Sequence, residues 1–90
     1  MTGREIVKEL LIRTHTNTSQ LAKRSGNSPQ NTWGRLNAND TKDLTLIKMD
    51  EYCRAMGYKV IVVPENTRLM TDWYEYTPGY SGYGEGRAEK

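Results

Sequence analysis

The tightest constraint on this chain lies in residues 17–36, NTSQLAKRSGNSPQNTWGRL, which spell two short helices joined by a tight turn. Asn17 is a good helix cap, and Gln20 follows at capping-box spacing, where each side chain satisfies the other residue's orphan backbone N–H. Leu21 and Ala22 form an apolar, closely packing pair. Gly26 ends the helix, because it tolerates a left-handed backbone. Ser28 then caps a second helix, and Pro29 at its first position loses no needed N–H. Gln30 and Asn31 therefore project from the first turn of that helix. Thr32 and Leu36, four apart, share its inner face.

The pattern is a helix-turn-helix, a motif whose second helix usually enters the major groove of DNA. Gln30 and Asn31 suit that use, since their amides can bond adenine bidentately at N6 and N7. Arg35, one turn further on, can reach guanine or phosphate. The bland alternative is that two amides near a helix start are ordinary polar surface, and the preceding Leu-Ala-x-x-x-Gly-x-Ser-Pro frame weighs against it. Trp33 is either a core plug or an apolar contact for a thymine methyl.

Leu21-Ala22, Gly26, Ser28-Pro29-Gln30-Asn31 and Leu36 resemble the lambda-repressor/Cro type of helix-turn-helix. The likeness is to the small bacterial and phage regulators whose recognition helix starts with SPQN. With its flanking helices, the resemblance covers about two thirds of the chain. The family usually has a large aliphatic residue where Thr32 stands and a polar one where Trp33 stands. Either Thr32 packs through its methyl group, or the helix rotates so that Trp33 covers the core. The resemblance implies a mainly α, four-helix domain that reads bases through Gln30, Asn31 and Arg35. It implies backbone contacts from Thr18, Ser19, Lys23, Asn27, Ser28 and Lys42.

Charge placement agrees with that use. Residues 10–39 hold Arg13, Lys23, Arg24 and Arg35 and no acid. Residues 64–90 hold five acids against three bases, so residues 1–63 carry more than the whole net charge of +2. A basic patch coinciding with the motif is the footprint expected for phosphate binding.

Helix 1 is expected to start at Thr2, which has Glu5 at capping-box spacing, and to bury Ile6, Val7, Leu10 and Leu11. It should fray by Thr14–Thr16, leaving His15 as a solvated loop residue. Helix 4 is capped by Thr45 and stopped by Gly57, with Leu46, Met49, Cys53 and Met56 on one face and Tyr52 beside them. Asp50 and Glu51 read as a solvated face, and Cys53 as an inert core thiol.

Tyr58, Lys59, Val60, Ile61, Val62 and Val63 form a β-branched run ended by Pro64, which reads as a strand. A lone strand cannot stand. It pairs with its twin across a two-fold axis, making Tyr58, Val60, Ile61, Val62 and Val63 the dimer interface, or it forms a hairpin with residues 69–76. Residues 1–63 are thus the binding module, 64–77 hold a possible second strand, and 78–90 are a Gly/Tyr-rich tail expected to be disordered. Tyr76, Tyr80 and Tyr83 could stack on bases or dock on a partner, although a solubilising tail is the simpler expectation.

Ninety residues, 36% of them hydrophobic and none of them Phe, make one small domain that a dimer would help. One cysteine allows no internal disulfide, and no apolar run is long enough to span a bilayer, so a cytoplasmic protein without a membrane role is expected. There is no phosphate loop, no zinc-ligand set and no nucleophile–base–acid trio. The expectation is therefore neither an enzyme nor a metal or cofactor binder. It is a dimeric, sequence-specific binder of double-stranded DNA and a transcriptional repressor. The alternative is an antitoxin or phage adaptor that binds a protein through the strand and tail.

Overall fold

A computed structural model of the chain describes residues 1–38 and 42–77. Four helices carry it: α1 (Gly3–Arg13), α2 (Thr18–Ser25), α3 (Pro29–Asn37) and α4 (Leu46–Ala55). Each begins where a short polar side chain can take up an orphan N–H. Thr2 accepts from the Glu5 amide and Asn17 from the Gln20 amide, and both are complete capping boxes. Ser28 accepts from Asn31, and Thr45 from Lys48.

Three helices end in the same way. At α2, Gly26 (φ 76) donates its N–H to Lys23 and the Asn27 N–H reaches back to Ala22, the paired bonds of a Schellman motif. Gly57 (φ 85) repeats this at α4, with Tyr58 donating to Cys53. At α1 the left-handed position falls on His15 (φ 54), with the Thr16 N–H on Leu11. His15 is thus more than a solvated loop residue, since it occupies a conformation that glycine usually takes. The α3 helix ends without such a cap, its next residue Ala38 being extended at φ −62, ψ 142.

The core is one cluster drawn from all four helices: Ile6, Val7 and Leu10; Leu21 and Ala22; Leu36; and Met49, Tyr52, Cys53 and Met56. Each large side chain buried there contributes roughly 1.5–3 kcal/mol. Ala22, fully buried, lets α2 and α3 approach closely. Leu11 lies half-buried at the edge. Leu46 does not join the inner face of α4, being 68% exposed. It is the first residue of the helix, and Met49, Tyr52, Cys53 and Met56 already fill the buried stripe. The Tyr52 hydroxyl and the Thr32 hydroxyl are buried without a hydrogen-bond partner. Asp50 and Glu51 are half-buried and ion-paired, Asp50 with Arg54 and Glu51 with Lys48, both at 2.9 Å.

The expected strand is not formed in the single chain. No strand occurs among the described residues, so neither the 58–63 strand nor its hairpin with 69–76 is present. The physical reason is the missing ladder: a strand needs the backbone of a second segment, and 69–76 is occupied elsewhere. The Tyr74 hydroxyl accepts from Arg13 Nε at 2.8 Å, and the guanidinium lies 5.4 Å from the ring centre. The Met1 amine donates to Glu75 O and Thr77 Oγ1, and Thr77 donates back to Met1 O. Residues 58–77 therefore return along α1 and α4. Tyr58, Val60 and Tyr74 pack on the core. A groove of about 750 Å³ runs beneath, floored by Ile6, Leu10, Met49 and Cys53. Of the expected dimer-interface residues, Tyr58 and Val60 are half-buried against the core, whereas Ile61, Val62 and Val63 are exposed. The tail, with Tyr80 and Tyr83, lies outside the described residues. Among the described residues, no helix is long and apolar enough to cross a membrane.

Candidate nucleic-acid interface

The outer face of α3 follows from its inner one. Thr32 is fully buried and Leu36 is 1% exposed, so the opposite side of the helix faces outward. Trp33 is 62% exposed. The core is therefore closed by the Thr32 methyl, and Trp33 is not a core plug. Threonine is short enough to sit under α2, whereas an indole there would require the helix to turn by about 100°. With Thr32 inward, Gln30, Asn31, Gly34 and Asn37 form the outward face, and all four are exposed.

Neither the Gln30 nor the Asn31 side chain hydrogen-bonds another described residue, so both are uncommitted. The Ser28 hydroxyl holds the Asn31 amide at 3.1 Å. Its own proton is left to donate outward, beside the positive end of the helix. Asn37 folds back on its own helix, its Nδ2 donating to Trp33 O at 2.9 Å.

Arg35 is not on the outward face. It lies about 140° round the helix from Gln30 and about 40° from Asn31. It is half-buried, and near enough to Glu51 of α4 to act on its charge. There its charge, after the Lys48 hydrogen bond as main cause and with a smaller part from Asn27, helps hold the Glu51 carboxyl below its usual range. Arg35 is thus set apart from the outward face that carries Gln30 and Asn31.

Asn27 is committed inside the protein. Its amide donates to Ser25 O and Ser25 Oγ, and its carbonyl accepts from Lys48 Nζ at 2.7 Å. The side chain ties the α2–α3 turn to α4, so it serves the shape of the motif and has little left for a phosphate. Thr18 and Ser19 sit at the start of α2, Thr18 half-buried and Ser19 exposed. Lys23 is exposed in the last turn of α2. Arg24 beside it reaches Thr16 Oγ1 at 3.5 Å. Lys42 is exposed, with its carbonyl taken by Arg4.

A clamp at the far end of α3 escaped the sequence. Asp43 caps α1 from a distance of 40 residues, accepting from the Gly3 amide at 2.6 Å and the Arg4 amide at 2.9 Å. Arg4 in turn donates to Arg35 O at 2.7 Å and to Lys42 O at 2.8 Å. The end of α3 and the start of the segment leading to α4 are thus bound to one guanidinium. No local pattern announces such a contact. The only hint is an Asp placed before a helix already capped by Thr45.

In comparisons with family models, curated proteins and solved structures, the chain has no significant match.

Proposed function

We propose that this chain is a sequence-specific binder of double-stranded DNA, acting as a dimeric transcriptional repressor of the lambda-repressor/Cro kind that its sequence resembles. The first turn of α3 carries the reading. Gln30 and Asn31 are exposed and uncommitted there, beside a Ser28-capped helix end, on a helix held by α1 and α2. Gln30 and Asn31 read base edges in the major groove. Trp33, on the flank, offers an apolar surface to a thymine methyl. Ser28, Thr18, Ser19, Lys23, Arg35 and Lys42 hold the phosphates. Two copies place their α3 helices about 34–36 Å apart, so the operator is an imperfect palindrome.

Selection from a random duplex pool tests this, with the enriched site titrated at several salt concentrations. A palindrome bound with a steep negative salt slope supports it. Gln30→Ala should cost roughly 1–3 kcal/mol at one base position and leave random duplex unaffected. Equal loss on both duplexes would remove α3 from the readout, and absence of any enriched site would remove DNA as the specific ligand.

The second reading is an adaptor or antitoxin that binds a protein. It is favoured by the exposed apolar side chains of residues 61–76, with Val62 at 98%, Met70 at 59% and Ile61 at 53%.

A further inference from the structure

Among the described residues there are four glycines, and three have a reason inside the molecule. Gly26 and Gly57 hold left-handed backbone. Gly3 lies against its neighbours: a Cβ there would meet Asp43 Oδ2 and Met49 Sδ, each at 3.1 Å. Gly34 has no such reason. It stands in the interior of α3, its φ is not positive, and a Cβ built on it would meet nothing within 4 Å. Glycine in a helix interior lowers stability relative to alanine, through the freedom it has in the unfolded chain. Among the described residues that loss brings no gain in packing or in conformation.

The position of Gly34 supplies the reason. It lies one turn beyond Gln30, about 40° round the helix from it, and about 60° from both Asn31 and Asn37. It is the centre of the outward face. The three polar side chains around it leave it bare, and Asn37 is drawn aside to Trp33 O. The helix surface therefore has a shallow notch in its middle, bounded by Trp33 on one flank and Arg35 on the other.

We infer that Gly34 is the point at which the duplex touches the backbone of α3, so that the missing side chain sets the depth to which Gln30 and Asn31 reach. This rests on the duplex-binding reading above and adds a positioning residue to it. A Cβ projects about 1.5 Å from the backbone. Hydrogen bonds to base edges hold only over donor–acceptor distances of about 2.7–3.2 Å. A methyl group in the notch thus lifts the readout side chains out of range, while lysines on longer, flexible stems still reach phosphate. Gly34 determines specificity without itself touching a base-specific atom.

The test is Gly34→Ala in the full chain, measured for thermal stability and for binding to the selected duplex and to a random one. The Tm should rise by about 3–6 °C, because alanine is the better helix former. Affinity for the selected duplex should fall on the order of tenfold, the size of one lost base-pair contact, while random-duplex binding changes little. Unchanged affinity for the selected duplex overturns the inference and leaves the DNA reading intact. A fall in Tm shows that the glycine serves the fold, and overturns it too. If the unmutated chain selects no duplex, the DNA reading fails and this inference fails with it.

Discussion

Residues 17–37 and residues 58–77 are nearly equal in length and are held in opposite ways. In the first, each helix satisfies its backbone from within itself, and the joints are closed by side chains two or three residues away: Asn17 with Gln20, Ser28 with Asn31, Asn27 with Ser25. In the second, the backbone forms neither helix nor ladder, and the segment is held by a few anchors: Tyr74 on Arg13, Glu75 and Thr77 on Met1, and Tyr58 and Val60 on the core. A helix is a local solution, and a strand depends on a partner from elsewhere. Stability should therefore be concentrated in the first region and weakly shared by the second.

The largest effect that would sharpen this contrast is Leu21→Ala. Leu21 is fully buried at the junction of α2 with the core, and its truncation should cost about 2–5 kcal/mol. In a domain this small, urea unfolding should show most of the stability gone. A loss below about 1 kcal/mol would mean that the core is not where the fold is held.

The next effect concerns the roof over α4. Burial, with a smaller push from Asp50, raises the Cys53 thiol from an ordinary 9.0 to about 11. At pH 8 its alkylation should be slower than that of the unfolded chain by about a hundredfold, the ratio of thiolate fractions. The sign for stability follows: a raised pKa stabilises fully below pH 9, and that contribution is lost as pH rises to about 11. Cys53→Ala should remove this part of the alkaline decline. Fast alkylation at pH 8 would show that residues 58–77 leave the core readily, and the contrast between the regions would grow.

The smallest effect on the fold itself is Val62→Asp. Val62 is almost wholly exposed, so unfolding free energy should move by less than about 0.5 kcal/mol. The same change should abolish a dimer built on residues 61–63, as read by light scattering at matched concentrations. A dimer that survives it would place the interface elsewhere.

The contrast also explains what could be read in advance. Thr2, Asn17, Ser28 and Thr45 were legible as caps, and Gly26 and Gly57 as stops, because each acts within one helical turn. The inner face of α3 was legible down to Thr32 and Leu36, with the choice between Thr32 and Trp33 left to packing. The anchors of Asp43 and Arg4 were invisible because their partners are 31 to 40 residues away. The β-branched composition of the Tyr58–Val63 run predicts a strand. Composition describes what a segment would pair well with, and the described residues supply no pair. Position in the motif points Asn27 at the DNA backbone. Lys48, on a helix distant in sequence, takes its side chain instead.

The Arg4 guanidinium holds the carbonyls of Arg35 and Lys42, so the two sides of residues 39–41 are moored to α1 independently of the chain that joins them. The seating of α3 and the start of the segment leading to α4 therefore depend together on one side chain, and a change at Arg4 releases both at once.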